Sequence, residues 1–223
     1  VITHFSTFLR NNYPHIVSIT DLPYEEANSE WIQYLKEQLG IYTSRSSIYT
    51  TVVRDPYHFF KDFYDEREEY EKDIWNFNKI PGTHLTDTNH QRTLNFTNVP
   101  HPFRDICKRY VKFKASFVSL GTCYHIMKGL EYFFSFIREK HPSWSDLVQL
   151  SREDIESFLA WYLSKVGKWT ITKIRYAAYV RSGLEYMQLA GFPEAPATPI
   201  PRLFFSGDIP PYPKSNKKAK YIP

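Results

Sequence analysis

At 223 residues, 42% apolar and 17% aromatic, the chain has enough hydrophobic material for two domains of about 100 residues each with buried cores, which indicates packed globular structure and not disorder. A net charge of +4 permits a polyanionic partner without identifying one. No run of about 18 apolar residues crosses a bilayer, no secretory leader is visible, and Cys107 and Cys123 lack metal-ligand spacing, so they read as buried free thiols in a reducing compartment.

In chain order, Ile2, Phe5, Phe8 and Leu9 fall at helical spacing. Pro23 with Glu25 and Glu26 opens a second helix with the stripe Ala27, Trp31, Tyr34 and Leu35, stopped by Gly40. A third helix is expected over 44–55, interrupted at Pro56, and a fourth over 59–75. Residues 76–101 read as an ordered linker, with a turn at Pro81-Gly82 and weak strand alternation over 93–99. A helix then carries Phe103, Cys107, Tyr110 and Val111. Ser119 precedes a long helix with the stripe Ile126, Leu130, Phe133 and Ile137, ended by His141-Pro142. Ser151 and Asp154 form a capping-box pattern before Ile155, Phe158, Leu159, Tyr162 and Leu163, and Gly167 stops that helix. Thr170 or Thr172 caps the last helix, whose stripe is Ile174, Ala177, Val180, Leu184 and Met187. Proline then recurs from Pro193 onward, which predicts an extended, stiff connector ending in Lys214, Lys217, Lys218 and Lys220.

The chain repeats itself. Phe5, Phe8, Arg10, Pro14, Leu22, Glu25, Ser29, Tyr34 and Leu35 all recur 128 positions later, nine identities where chance gives about two. The expected fold is therefore all-α: two tandem small helical bundles joined by an ordered linker. The predicted boundaries are 1–76 for the first module, 77–101 for the linker, 102–192 for the second module and 193–223 for the Pro/Lys-rich segment. A start at Val1 without Met and an end at Pro223 suggest a piece of a longer protein.

Opposite its apolar stripe, the helix over 170–188 carries Thr172, Arg175, Tyr179 and Ser182, flanked by Lys168, Lys173 and Arg181. Cations that neutralise phosphate, hydroxyls that donate to it and a ring that packs on sugar suit a nucleic-acid backbone; the bland alternative is a solvated helix face. Thr122 and Lys128, with Lys112 and Lys114, form a second basic edge. The first module repeats this thinly with Ser44, Arg45, Ser46, Tyr49 and Arg54, followed by an acidic stretch over 62–73.

Catalytic patterns are weak. His101 and Arg104 have His-x-x-Arg spacing but no nucleophile follows at a sensible distance. Glu68, Glu69, Glu71 and Asp73 have no partner motif, His84, His90 and His101 lack zinc spacing, and there is no Gly-rich phosphate loop, so no catalytic residue, metal ligand or cofactor is assigned.

The second module, with F-x-x-F-I-R at 133–138, L-S-R-E-D-I-E-S-F-L at 150–159 and the Lys168–Arg175 run leading to Leu184-Glu185-Tyr186-Met187, resembles the core-binding (SAM-like) domain of phage-integrase-type tyrosine recombinases. Pro201-Arg202-Leu203 and the Pro/Lys segment resemble those enzymes' interdomain linker. Lys72-Asp73-Ile74-Trp75, Leu94-Asn95-Phe96, Phe103-Arg104 and Lys108-Arg109-Tyr110 are similar to the recombinase-type transposases of unit transposons in Gram-positive bacteria.

The resemblance implies a helical clamp on double-stranded DNA in DNA integration and recombination, partnered by other recombinase protomers, cytoplasmic and DNA-associated in bacteria. Strand breakage through a phosphotyrosine would need neither metal nor nucleotide. That catalytic set is absent between residues 1 and 223 and is expected beyond them, so the chain itself is not expected to be the nuclease. The DNA contacts it implies are Lys168, Thr170, Thr172, Lys173, Arg175 and Arg181, then Thr122 and Lys128. Two other classes compete: a non-catalytic helical protein–protein scaffold, for which Phe59, Phe60 and Phe63 speak, and a self-contained enzyme resting on His101 and Arg104.

Overall fold

The computed structural model describes residues 1–42, 47–82 and 92–211. Ser44, Arg45, Ser46, His84, His90 and Lys214, Lys217, Lys218 and Lys220 lie outside the described residues. The fold is all-α apart from one small hairpin and divides into two compact units, Val1–Arg67 and Glu68–Pro223. No helix of the described residues is long and apolar enough to cross a membrane.

The first unit holds α1 (Ile2–Asn12), α2 (Tyr24–Leu39) and α3 (Ile48–Phe63). Its centre is Trp31, wholly buried between Phe5, Phe8 and Tyr34, with ring centroids 5.2 to 5.6 Å away. The Trp31 indole donates to the Tyr49 carbonyl at 2.6 Å, so α2 is tied to α3 by the only polar atom of that side chain. The α2 end is set by Gly40 at φ 63°, with the Ile41 amide donating back to Leu35 O.

Two expectations change here. Pro56 neither interrupts nor restarts a helix: α3 runs through it. The helix predicted over 59–75 does not form. α3 ends at Phe63, and residues 69–76 make a 3-10 turn and a strand. The acidic run over 65–69 has no apolar stripe to bury, while Trp75 is wholly buried with Tyr70 against it edge-on at 4.9 Å. Tertiary burial of the two rings overrides helical propensity.

In the second unit, β1 (Ile74–Asn76) pairs antiparallel with β2 (Thr93–Asn95), Trp75 opposite Leu94. Trp75, Phe77, Leu94, Phe96 and Val99 are buried in the same core as α4 (His101–Ala115) and α5 (Leu120–Lys140). Much of the stretch read as a linker over 77–101 thus packs as part of this unit, and the division between units falls at Arg67/Glu68.

The hairpin is fastened by one carboxylate. Asp73 accepts from Arg104 at 2.6 Å and from Lys108 at 2.7 Å, while its carbonyl takes the Phe96 amide at 2.8 Å. Arg104 also donates to the carbonyls of Thr97 and Val99, and Lys108 to that of Glu71. The segments 72–75, 94–96, 103–104 and 108–110 meet at this clamp. Arg104 is consumed here as a structural cation, so its His-x-x-Arg spacing with the exposed His101 has no catalytic meaning in this arrangement.

α6 (Arg152–Val166) and α7 (Ile171–Leu189) pack on α5, and α8 (Ile200–Leu203) packs on α6 and α7. Ser119, Ser151 and Thr170 are the N-caps, Ser151 in a full capping box with Asp154. The stripes predicted for α5 and α7 are buried throughout. α7 crosses α5 closely because Gly129 lacks a side chain: a Cβ there would stand 2.7 Å from the Tyr176 carbonyl oxygen.

The proline-rich stretch does not run out as an extended connector over 193–211. Ile200, Leu203 and Phe204 are buried, and Gln188 binds the carbonyls of Pro196 and Thr198 at 2.6 and 2.7 Å and the Ile200 amide at 3.2 Å. The apolar residues between the prolines recover more by burial than the stiff backbone gains in water.

The repeat survives in the register of elements. α1 and α5 end at Asn12 and Lys140, and Phe5, Phe8 and Leu22 are buried like Phe133, Phe136 and Leu150. The inward faces differ: Leu35 is buried and Leu163 is exposed, while Tyr162 is buried and Tyr34 only partly so.

Both cysteines are buried, and burial pushes the Cys123 thiol up to about 11 and the Cys107 thiol further.

Four carboxylates of the second unit sit below their usual range. For Asp73 and Asp154, burial alone would raise the pKa, but hydrogen bonds and charge from Lys108 and Arg104, and from Lys140, His141 and Ser151, outweigh it. For Glu194 and Asp208 the hydrogen bonds from Arg109 and Arg152 dominate. Depressed carboxylates stabilise the fold above their unfolded pKa and cease to do so on acidification, so stability is full above about pH 5 and falls as pH drops through the ordinary values.

In thermal melts near neutral pH, Asp73→Ala will cost about 1–2 kcal/mol, discounted because the carboxylate is partly solvated, and the acid slope of stability will shrink. Gly129→Ala will cost about 1–3 kcal/mol, because the clash is with backbone rather than a mobile side chain.

Candidate nucleic-acid interface

The predicted DNA-facing residues separate into groups on α5 and α7. At the start of α7, Lys168, Thr170 and Thr172 are exposed. Thr170 caps the helix, its hydroxyl accepting from the Lys173 amide at 3.4 Å. The remaining first-turn amides point outward where an anion is favoured.

Lys173 does not project with them. Its ammonium turns back onto the Val166 carbonyl, and its own carbonyl accepts from the Tyr162 hydroxyl at 3.3 Å. Lys173 therefore closes the loop between α6 and α7.

Arg175 lies on the flank of α7 that faces α5, half-buried, with no carboxylate partner among the described residues. Across the crossing stands His125, whose imidazole lies 3.4 Å from the Tyr176 hydroxyl. Burial and the positive charge of Arg175 hold the His125 pKa below its ordinary 6.5, so the ring is neutral at pH 7. Tyr176 is shifted the other way, chiefly by burial.

Thr122 lies one turn before His125, its hydroxyl 3.2 Å from that of the N-cap Ser119. Lys128 shares the edge, but its ammonium is held by both oxygens of Glu131 at 2.7 Å. It enters the site as half of an ion pair, with less charge to offer.

Two further residues stand apart. Tyr179 packs partly into the core near Tyr110, contributing with burial to that phenol's raised pKa. Arg181 is exposed on the other flank of α7, where its charge helps depress Asp208. The structure thus brings His125 and Arg175 together, with Thr122 and Lys128 three residues to either side of His125 on α5, and puts Arg181 on the flank of α7 that faces Asp208.

Between the exposed apolar residues Ile171 and Leu189 at the ends of α7, the outward face is polar. In the first unit, Arg54 is exposed and paired with Asp55 at 2.8 Å.

His125 and Tyr176 escape the sequence reading. His125 could have been found, because it lies three residues from both Thr122 and Lys128 and so shares their helix edge. Tyr176 could not, because its place depends on Gly129 letting α7 approach.

No protein-family model matches the chain, and no solved structure matches it. In sequence it is similar to transposase B from transposon Tn554 of Staphylococcus aureus, in strains Mu50 and N315, and to transposase B from transposon PsiTn554 of the same species. Each is 30% identical over 178 residues, an alignment covering 72% of this chain and 28% of the relative. The chain therefore spans little more than a quarter of the length of the curated relatives it matches.

The His125 placement has a direct check. In NMR titration its ring will titrate below 6.5, and Arg175→Ala will raise that midpoint. An unchanged midpoint would place Arg175 elsewhere.

Proposed function

We propose that this chain is the duplex-DNA-binding arm of a site-specific tyrosine recombinase of the transposon type, acting in DNA integration and recombination in the bacterial cytoplasm. In this reading residues 102–192 are its core-binding domain, residues 1–76 a diverged N-terminal core-binding-like module, and 193–223 lead toward a catalytic domain. Other protomers of the same recombinase are its partners, and the chain itself breaks no strand.

One observation carries the reading. The start of α7 offers exposed Lys168, Thr170 and Thr172 with unpaired helix-end amides, and Arg175 with no carboxylate partner among the described residues lies beside them. A phosphate seated there meets hydrogen-bond donors, a positive helix end and two cations. The similarity to proteins named transposase supports the same reading.

The edge predicts unequal contributions. Arg175 gives a full charge to the interface, whereas Lys128 must first leave Glu131. With a random-sequence duplex, fluorescence anisotropy across a salt series will show Arg175→Ala weakening binding several-fold and lowering the salt slope by about one. Lys128→Ala will have a smaller effect on both. A chain with no salt-dependent affinity for duplex DNA is incompatible with this function.

A further inference from the structure

The last turns of α3 leave four aromatic rings in water. Phe59, Phe60, Phe63 and Tyr64 are all exposed, Phe63 to 67%. They form a continuous ladder: Phe59 to Phe60 at 5.3 Å, Phe59 to Phe63 and Phe60 to Tyr64 at 6.3 Å, Phe63 to Tyr64 at 5.3 Å. The core of this unit is built on Trp31 and uses none of them. Exposed rings in such a group mark a binding surface rather than ordinary surface scatter.

The charges around the ladder oppose a nucleic acid. Asp62, Asp65 and Glu66 outnumber Lys61 and Arg67, and the helix ends here with its negative pole. The matching surface is apolar with a basic rim.

The chain carries such a surface. At the end of α4, Phe113 stacks on Tyr186 at 4.3 Å and lies 5.2 Å from Phe117, itself 68% exposed. Lys112 and Lys114 border it and outnumber Glu185, the acid next to Tyr186.

We propose that the α3 ladder of one copy of this chain docks on the Phe113/Phe117 surface of a second copy. The contact is head-to-tail: two different patches meet, so one copy of the pair keeps a free Phe113/Phe117 surface, the other a free ladder, and the association propagates. At ~200 Å² per ring, the exposed parts of the six aromatics supply roughly 700 Å². That is below the ~1,200 Å² of stable complexes, so the contact is weak in solution and strengthens where copies are held close.

The test uses the whole 223-residue chain. Light scattering across a concentration series will show the wild type gaining mass beyond a dimer. Phe63→Glu and Phe117→Glu will each remain monomeric, with unchanged far-ultraviolet circular dichroism. Mixed together, the two variants will form a 1:1 dimer and nothing larger, because each retains the patch that the other has lost. A monomeric wild type overturns the proposal. So does a Phe117→Glu chain that associates like the wild type, which would mean that the ladder pairs with itself, and so does a mixture that fails to pair.

Discussion

The second unit hangs on the Asp73 carboxylate. Two chain segments with no helical reason to be neighbours, the 68–76 stretch and α4, are joined because one acid accepts from Arg104 and Lys108 at 2.6 and 2.7 Å. Each cation then reaches a backbone carbonyl that the hairpin would otherwise leave unpaired. The closed clamp holds the hairpin against α4 where Trp75, Leu94 and Phe96 are buried, and the pair offsets the cost of withdrawing Lys108 from water.

A second constraint places the candidate interface. Gly129 lets the backbone of α7 lie almost on α5, and Gly183 makes room for the Leu130 and Tyr110 side chains. That closeness puts Arg175 and Tyr176 beside His125. A neutral imidazole next to a guanidinium costs little, because only one of the two groups is charged. The positive edge is therefore narrow, made of Lys168 and Arg175 with Lys128 in reserve, and it depends on the helix start as much as on side-chain charge.

The two units illustrate how a repeat diverges while its skeleton persists. Buried Phe5, Phe8 and Leu22, and Phe133, Phe136 and Leu150, occupy equivalent places in the order of helices. On α2 and α6 the buried face has turned, so that Leu35 and Tyr162 are inside while their counterparts Leu163 and Tyr34 are not. What followed diverged further: α3 spends its last turns on an exposed aromatic ladder, and α7 spends its first on a polar, cationic edge.

The sequence by itself determined the helices that carry their own periodicity and caps. Ser119, Ser151 with Asp154, and Thr170 mark starts, Gly40 marks a stop, and the stripes of α5 and α7 proved to be core, because helix period and capping are local physics. It also determined the all-α class. Tertiary structure alone decided the fate of residues 64–82, 92–100 and 193–211, where short apolar groups between charges and prolines find their partners far away in the chain. It also decided which cations are available. Lys128, Lys173 and Arg104 look as basic in sequence as Arg175, but a charge is spent or free according to what lies within about 3 Å of it, and no spacing rule encodes that distance.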